Sequence, residues 1–153
     1  MIKLRLLLLT ILFSAFSWGQ GSETFTSSNA TGTYANGSYV GDNGVTWTYT
    51  QSRDDATYQI TGKGLLMRRL FDNSKVVSSS VAGGIGNFTC KLLKGFTGPG
   101  NRQVELFVNG TSQGTSIAWD NTTVQTFSVN NINISGSVII EVRNITGNQV
   151  VID

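Results

Sequence analysis

Apolar and polar residues alternate in short runs, and Gly, Asn, Asp and Ser separate these runs. The clearest run, Gln103–Val108, reads Gln-Val-Glu-Leu-Phe-Val and ends at Asn109 and Gly110. Both turn residues tolerate positive φ, so this pair predicts a two-residue hairpin. Residues 111–117 are then expected to return as the antiparallel partner strand.

Similar runs recur along the chain, and no stretch shows a convincing helical period. Residues 45–51 place Val45, Trp47 and Tyr49 on one strand face and threonines on the other. Further strands are predicted at 23–25, 56–60, 64–70, 76–80, 87–93, 124–129, 137–143 and 149–152. Strands this short and this frequent predict an all-β, two-sheet antiparallel β-sandwich, and jelly-roll topology is the leading arrangement.

The first 19 residues have the pattern of a secretory signal peptide. Lys3 and Arg5 precede an apolar run from Leu6 to Phe16, and cleavage is expected after Gly19. A membrane anchor is the alternative, but the run is shorter than the roughly 20 residues that span a bilayer. We therefore expect a secreted or cell-surface protein whose single module occupies residues 20–153, with no membrane contact after signal removal.

Charge and residue types exclude several functions. Without Lys3 and Arg5, nine of the 11 Lys and Arg residues remain, equal in number to the nine Asp and Glu residues. A neutral module lacks the basic surface that nucleic-acid backbones require. The chain has no His and only one Cys, so it cannot form a Ser-His-Asp triad or a His-ligated zinc site. Cys90 is expected in a strand as a small buried hydrophobe.

Catalysis by paired carboxylates is also disfavoured. Asp54 and Asp55 are adjacent, and adjacent strand residues point to opposite faces. An ion pair with Arg53 in a solvated turn is the simpler interpretation. A glycosidase pair would require a distant acid, Glu105 or Asp120, to converge on this place.

Several short motifs together resemble an accessory β-sandwich module of large secreted proteins from bacteria that use the type IX secretion system. They are 23–26 (ETFT), 41–47 (GDNGVTW), 53–54 (RD), 83–86 (GGIG), 104–110 (VELFVNG) and 150–153 (VVID). In that family the module accompanies nucleases, glycan-degrading enzymes and adhesin-like proteins. The resemblance implies a non-catalytic fold similar to carbohydrate-binding jelly rolls. The family's last strand continues past the final Asp, so we expect the module to be truncated here, with further domains in a longer parent protein.

Trp119 is the predicted sugar-stacking residue, because it stands in an apparent loop beside Asp120 and Asn121, which offer hydrogen-bonding groups. Tyr39, in Gly- and Asn-rich surroundings, is a weaker candidate ligand-binding residue. Trp47 and Tyr49 share a face with Val45 and are expected in the core.

One structural Ca²⁺ is a further hypothesis. Jelly-roll modules often hold such an ion where the first and last strands meet, and Glu23 and Asp153 lie at the two ends of the chain. Asp42 would complete the ligand set. The alternative is that these are solvated acids near the chain termini.

These observations predict a secreted, non-catalytic module that binds a polysaccharide or another extracellular surface ligand. Two alternatives stay open. In the first, the module is a structural spacer or adhesin domain without a small ligand. In the second, it is the accessory part of a truncated secreted hydrolase, either a nuclease or a glycan-degrading enzyme.

Overall fold

The computed structural model describes residues 21–153, so the predicted signal peptide lies outside the described residues. The strands in this part of the chain are β1 (Ala35–Val40), β2 (Thr46–Arg53), β3 (Leu65–Met67), β4 (Lys75–Ser78), β5 (Phe88–Lys94), β6 (Val104–Val108), β7 (Thr111–Thr115), β8 (Gln125–Val129), β9 (Ile140–Asn144) and β10 (Val150–Ile152). Two short 3-10 turns occupy Asp42–Gly44 and Leu70–Asp72. Within residues 21–153, no helix has the length and apolar character to cross a membrane.

All strand pairs are antiparallel, and they form two layers. The first layer has the order β7-β6-β9-β4-β2, with β1 on the other edge of β2, and the second has the order β3-β10-β5-β8. From β2 onward the chain passes repeatedly between the layers, which is the crossing pattern of a jelly roll. The predicted all-β antiparallel sandwich is therefore confirmed.

One strand belongs to both layers. The first half of β2 pairs with β4, from Trp47 to Thr50, whereas Ser52 and Arg53 pair with β3. Gln51 lies between the two halves with a φ of 46°, a left-handed conformation that is uncommon for a residue other than glycine. The register of β1 against β2 also shifts here, so a β-bulge bends β2 from one layer into the other.

Hydrogen bonds stabilise this bulge. The Gln51 backbone N–H donates to Asn36 Oδ1 over 2.9 Å, and the Gln51 carbonyl accepts from the N–H of Arg68 over 3.1 Å. The fully buried Ser74 hydroxyl shares its one proton between the carbonyls of Thr50 and Gln51 and accepts the Arg68 N–H. Buried polar groups are tolerated when they are hydrogen-bonded in this way.

A single core lies between the layers. Inward-facing residues of the first layer include Val76, Leu106 and Val142, and those of the second include Leu92 and Phe127. Tyr49 is buried in this core and Trp47 packs against it, as the alternation of residues 45–51 predicts. Burying such side chains is worth about 1.5–3 kcal/mol each and is the main stabilising contribution.

Some predicted elements are wrong. Residues 23–25 and 56–60 do not form strands, and β1 was not predicted. Phe25 nevertheless belongs to the core. The hairpin prediction is confirmed, since Asn109 and Gly110 have φ values of 51° and 76° and connect β6 to β7.

Candidate functional site

A largely apolar cavity of about 590 Å³ lies between the two layers. Its walls include Val76 and Val142 of the first layer and Cys90 and Ile152 of the second, with Trp47 beside them. Glu23, Asp42 and Asp153, the predicted calcium ligands, all border this cavity. This placement brings the two ends of the described chain to one region, as the calcium hypothesis assumed.

Both oxygens of Glu23 and one oxygen of Asp42 accept hydrogen bonds from the protein. Glu23 Oε2 accepts the Asp42 N–H over 3.0 Å, and Glu23 Oε1 accepts the Phe25 N–H over 2.8 Å. Asp42 Oδ2 accepts both the N–H and the hydroxyl of Thr24, over 2.9 and 2.8 Å. A Cβ atom on Gly41 would lie 1.9 Å from Glu23 Oε2, so this close approach requires glycine. The two acids tie the segment before β1 to the turn after it.

The predicted calcium ligands are not assembled as one metal site within residues 21–153. The Asp153 carboxylate accepts the N–H of Thr61 over 3.0 Å instead of turning toward Glu23 and Asp42. In residues 21–153 no group of three or more Asp, Glu, Cys or His residues is arranged to hold a metal. Calcium needs six to eight oxygen ligands, and here the carboxylates are engaged by backbone N–H groups. A calcium site formed by Glu23, Asp42 and Asp153 therefore stays a prediction.

Trp119 does not have the exposure that a stacking residue requires. It is only 5% exposed and belongs to the core. Its backbone N–H and carbonyl exchange hydrogen bonds with Arg102 over 3.1 and 2.8 Å, which holds this segment against the residues just before β6. The segment lies between β7 and β8, as the loop interpretation expects, but the Trp119 ring is buried where an exposed ring was predicted.

Asp120 neutralises two buried cations. Its Oδ1 atom accepts from Lys94 Nζ over 2.7 Å and from Arg102 Nη1 over 2.6 Å, and its Oδ2 accepts the Gly100 N–H over 2.8 Å. The hydrogen bond from Lys94 is the largest cause that lowers the pKa of the Asp120 carboxyl below its ordinary value. Asp120 is thus a charged structural group, and its oxygens are already engaged by protein donors.

The remaining predicted ligand-binding residues are also engaged within the fold. Asn121 is exposed, but its Oδ1 accepts the Thr123 N–H and the Gln125 amide over 3.0 and 3.1 Å. Tyr39 is 7% exposed, and its hydroxyl donates to Glu23 Oε1 over 3.3 Å. Burial, together with the Glu23 charge, raises the pKa of Tyr39 well above its ordinary value.

The Arg53-Asp54-Asp55 segment forms an ion pair and not a carboxylate pair. Arg53 pairs with Asp55, and its guanidinium carbon lies 4.8 Å from the ring centroid of Tyr34 and 5.0 Å from that of Phe96. Asp54 accepts from the Gln59 amide over 3.5 Å. The two distant acids are engaged elsewhere: Glu105 accepts from Ser112, and Asp120 binds Lys94 and Arg102.

Cys90 is a buried thiol on the wall of the cavity. Burial, with a smaller effect from the Asp153 charge, raises its pKa from 9.0 to about 12. Because thiolate is the reactive form, we expect iodoacetamide at pH 8 to modify the folded chain at least about 100-fold more slowly than the urea-unfolded chain. Comparable rates in both states would contradict this burial.

The raised pKa of Cys90 also links stability to pH. Since the folded pKa lies above the unfolded value of about 8.5, the contribution of the buried Cys90 thiol to the free energy of unfolding is complete at neutral pH and declines as the pH rises toward 12.

Phe71 is an exposed aromatic residue that the sequence reasoning missed. It is 87% exposed, at the centre of the Leu70–Asp72 turn. The signal was present, because Phe71 is followed by Asp72 and Asn73, just as Trp119 is followed by Asp120 and Asn121. The same sequence pattern, an aromatic residue followed by Asp and Asn, therefore occurs at Trp119 and at Phe71. Only the Phe71 ring is exposed to solvent.

The turn that carries Phe71 is held firmly. The Leu70 N–H donates to the Thr146 carbonyl over 2.7 Å, and the Asn73 N–H donates to the Leu70 carbonyl over 2.9 Å. Asp72 forms ion pairs with Arg68 and Arg69 over 3.2 and 2.9 Å. An aromatic ring fixed in this way loses little conformational freedom when a ligand stacks on it.

Fold and residues together define an antiparallel β-sandwich whose sequence-predicted site residues mostly serve structural roles. No protein-family model matches the sequence, and no curated protein matches it. Solved structures that are similar to it include two carbohydrate-binding domains. One is a carbohydrate-binding module, CBM36, in complex with calcium and xylotriose, at 16% identity over 69% of this chain and 92% of that chain, with a TM-score of 0.46. The other is the CBM36-1 domain of a multidomain xylanase from the hindgut metagenome of Trinervitermes trinervoides, at 14% identity over 71% of this chain and 96% of that chain, with a TM-score of 0.41. A likeness this distant carries no argument about what the present chain binds.

Proposed function

We propose that this protein is a secreted, non-catalytic β-sandwich module that binds a polysaccharide or a cell-surface glycan through Phe71. The observation that carries this proposal is the 87% exposure of an aromatic ring on an ordered turn. Aromatic rings bury a large apolar face on contact, and the C–H face of a sugar ring offers a matching surface. Residues 1–19 would direct export, and the module would tether further domains of a longer parent protein to the glycan.

Polar groups beside the ring suit sugar hydroxyls. Arg68 and Arg69 have side chains that are 37% and 39% exposed, so each keeps donors available besides its ion pair with Asp72. Asn73 is exposed next to the turn. A Cβ atom on Gly147 would lie 4.0 Å from Phe71 Cε2, so glycine at this position leaves that edge of the ring open. An aromatic face with a few hydrogen-bonding groups around it is a suitable arrangement for binding a carbohydrate.

The test is retention of residues 20–153 on insoluble polysaccharides and on a glycan array, with Phe71→Ala as the main variant. Loss of the stacking ring is expected to weaken binding at least about fivefold, because ring contacts of this kind are worth about 0.5–1.5 kcal/mol beyond the area they bury. Phe71→Trp should retain binding.

Ile117→Ala is the matched control. Ile117 is 89% exposed and apolar but carries no ring, so its truncation should leave retention unchanged. Equal loss in both variants would indicate non-specific adsorption. If no polysaccharide or glycan retains the folded wild-type chain, the glycan proposal is wrong, and the spacer or adhesin function becomes the better one.

A further inference from the structure

Positive charge exceeds negative charge on the turn that carries Phe71. Arg68 Nη1 lies 3.2 Å from Asp72 Oδ1, and Arg69 Nε lies 2.9 Å from Asp72 Oδ2, so one carboxylate is shared between two guanidinium groups. Within residues 21–153 no other carboxylate forms an ion pair with either arginine. The turn therefore keeps an unbalanced positive charge, although the charges of the whole module balance.

Arg69 has two guanidinium nitrogens available to a ligand. Its contact with Asp72 uses Nε, and among the described residues neither Nη1 nor Nη2 donates a hydrogen bond. The Arg69 side chain is 39% exposed, so part of it faces solvent. The two Nη groups form one edge of the planar guanidinium, and such an edge binds a carboxylate through two parallel hydrogen bonds. Arg69 can therefore bind a second carboxylate while it keeps its contact with Asp72.

The guanidinium group of Arg68 is oriented by its neighbours. Besides its contact with Asp72, its Nη1 atom donates to Gln51 Oε1 over 3.4 Å, and its guanidinium carbon lies 5.3 Å from the ring centroid of Tyr34. A cation at this distance is attracted to the face of an aromatic ring. The Arg68 charge is thus fixed beside the turn, and it attracts an anion there with little further loss of side-chain freedom.

We propose that the Phe71 site selects polysaccharides whose sugar rings carry carboxylates, that is, chains of uronic acids. A sugar ring stacks on Phe71, and the carboxylate of that ring or of the next one binds the Nη1–Nη2 edge of Arg69. Hydrogen bonds between ionised groups are about twice as strong as those between neutral groups, so a carboxylate gains more here than a sugar hydroxyl. This inference rests on the proposed function, because it assigns a ligand class to the same site.

The test is affinity electrophoresis of residues 20–153 in gels that contain polygalacturonate or alginate, each compared with its carboxyl-reduced, neutral form. We expect at least one acidic polymer to bind the folded chain at least about tenfold more tightly than its reduced form, because reduction replaces each carboxylate by a neutral hydroxyl. Added NaCl should weaken binding of the acidic polymer and leave binding of the neutral one unchanged.

Charge variants test the role of Arg69. Arg69→Gln should weaken binding of the acidic polymer at least about tenfold and leave binding of the neutral polymer unchanged. Arg69→Lys keeps the charge without the paired Nη donors, so it should retain only part of the binding. Lys91→Gln is the matched control, because it removes one positive charge from an exposed position on β5, where Nζ donates to Thr126 Oγ1. This control should bind as the wild type does.

Carboxylate selection and glycan binding fail with different results. If neutral polymers bind as tightly as acidic ones and Phe71→Ala weakens both, Phe71 binds glycans but the selection of carboxylates is wrong. If the folded chain binds none of these polymers and no other glycan, both proposals are wrong. Polyglutamate is a polyanion without sugar rings. If it binds as tightly as the acidic polysaccharides, and Phe71→Ala leaves that binding unchanged, the turn attracts any polyanion and the inference is overturned.

Discussion

Replacing Arg102 by methionine is expected to lower the free energy of unfolding by about 3–5 kcal/mol. Arg102 is 1% exposed, and its guanidinium group donates to the carbonyls of Gly95, Gly98, Gly100 and Gln149 as well as to Asp120. Methionine fills similar space but donates no hydrogen bond. The carbonyls would lose their partner, and unpaired buried polar groups cost about 1–3 kcal/mol each.

Equilibrium unfolding in urea measures this change, and Arg143→Met is the matched control. Arg143 also forms an ion pair, with Glu141, but its side chain is 33% exposed. Solvent screens such pairs, so this control should cost less than about 1 kcal/mol. An Arg102→Met chain that unfolds within about 1 kcal/mol of the wild type would show that the Arg102 hydrogen bonds contribute little to stability.

Truncating Trp119 to alanine is expected to cost about 3–5 kcal/mol of folding stability. The ring is 5% exposed in the core, so its removal leaves a cavity that neighbouring side chains fill only partly. Trp119→Phe should cost much less, because it retains most of the ring and removes an Nε1 donor that has no hydrogen-bond partner among residues 21–153.

Thermal and urea unfolding of Trp119→Ala, beside Phe71→Ala, distinguish a core residue from a surface residue. Phe71 is 87% exposed, and its truncation should change stability by no more than about 0.5 kcal/mol. A Trp119→Ala chain as stable as the wild type would contradict the burial of this ring. It would restore the sequence-based hypothesis that Trp119 is an exposed binding residue.

The strands were predictable where alternation is strong. Residues 103–108 alternate clearly, and β6 spans Val104–Val108 with the buried and partly buried positions that this pattern predicts. β1 was missed because Gly37 and Asn36 lower its strand propensity. Pairing with β2 overrides that local preference, and such tertiary effects are not visible in the residues of one segment.

The candidate site was less predictable than the fold. Trp119 and Phe71 have similar neighbours in sequence, but Asp120, next to Trp119, forms ion pairs with Lys94 and Arg102. Those two cations are 26 and 18 residues away from Asp120. Which aromatic residue is buried thus depends on long-range charge pairing, which composition and spacing do not reveal.

The bent strand β2 has a consequence for how the molecule unfolds. Backbone hydrogen bonds from one strand hold both layers, since β2 pairs with β4 before Gln51 and with β3 after it. The layers therefore cannot separate as independent folding units without breaking main-chain bonds within β2. Loss of structure in one layer should spread to the other, so heat and denaturant should unfold both in a single cooperative transition.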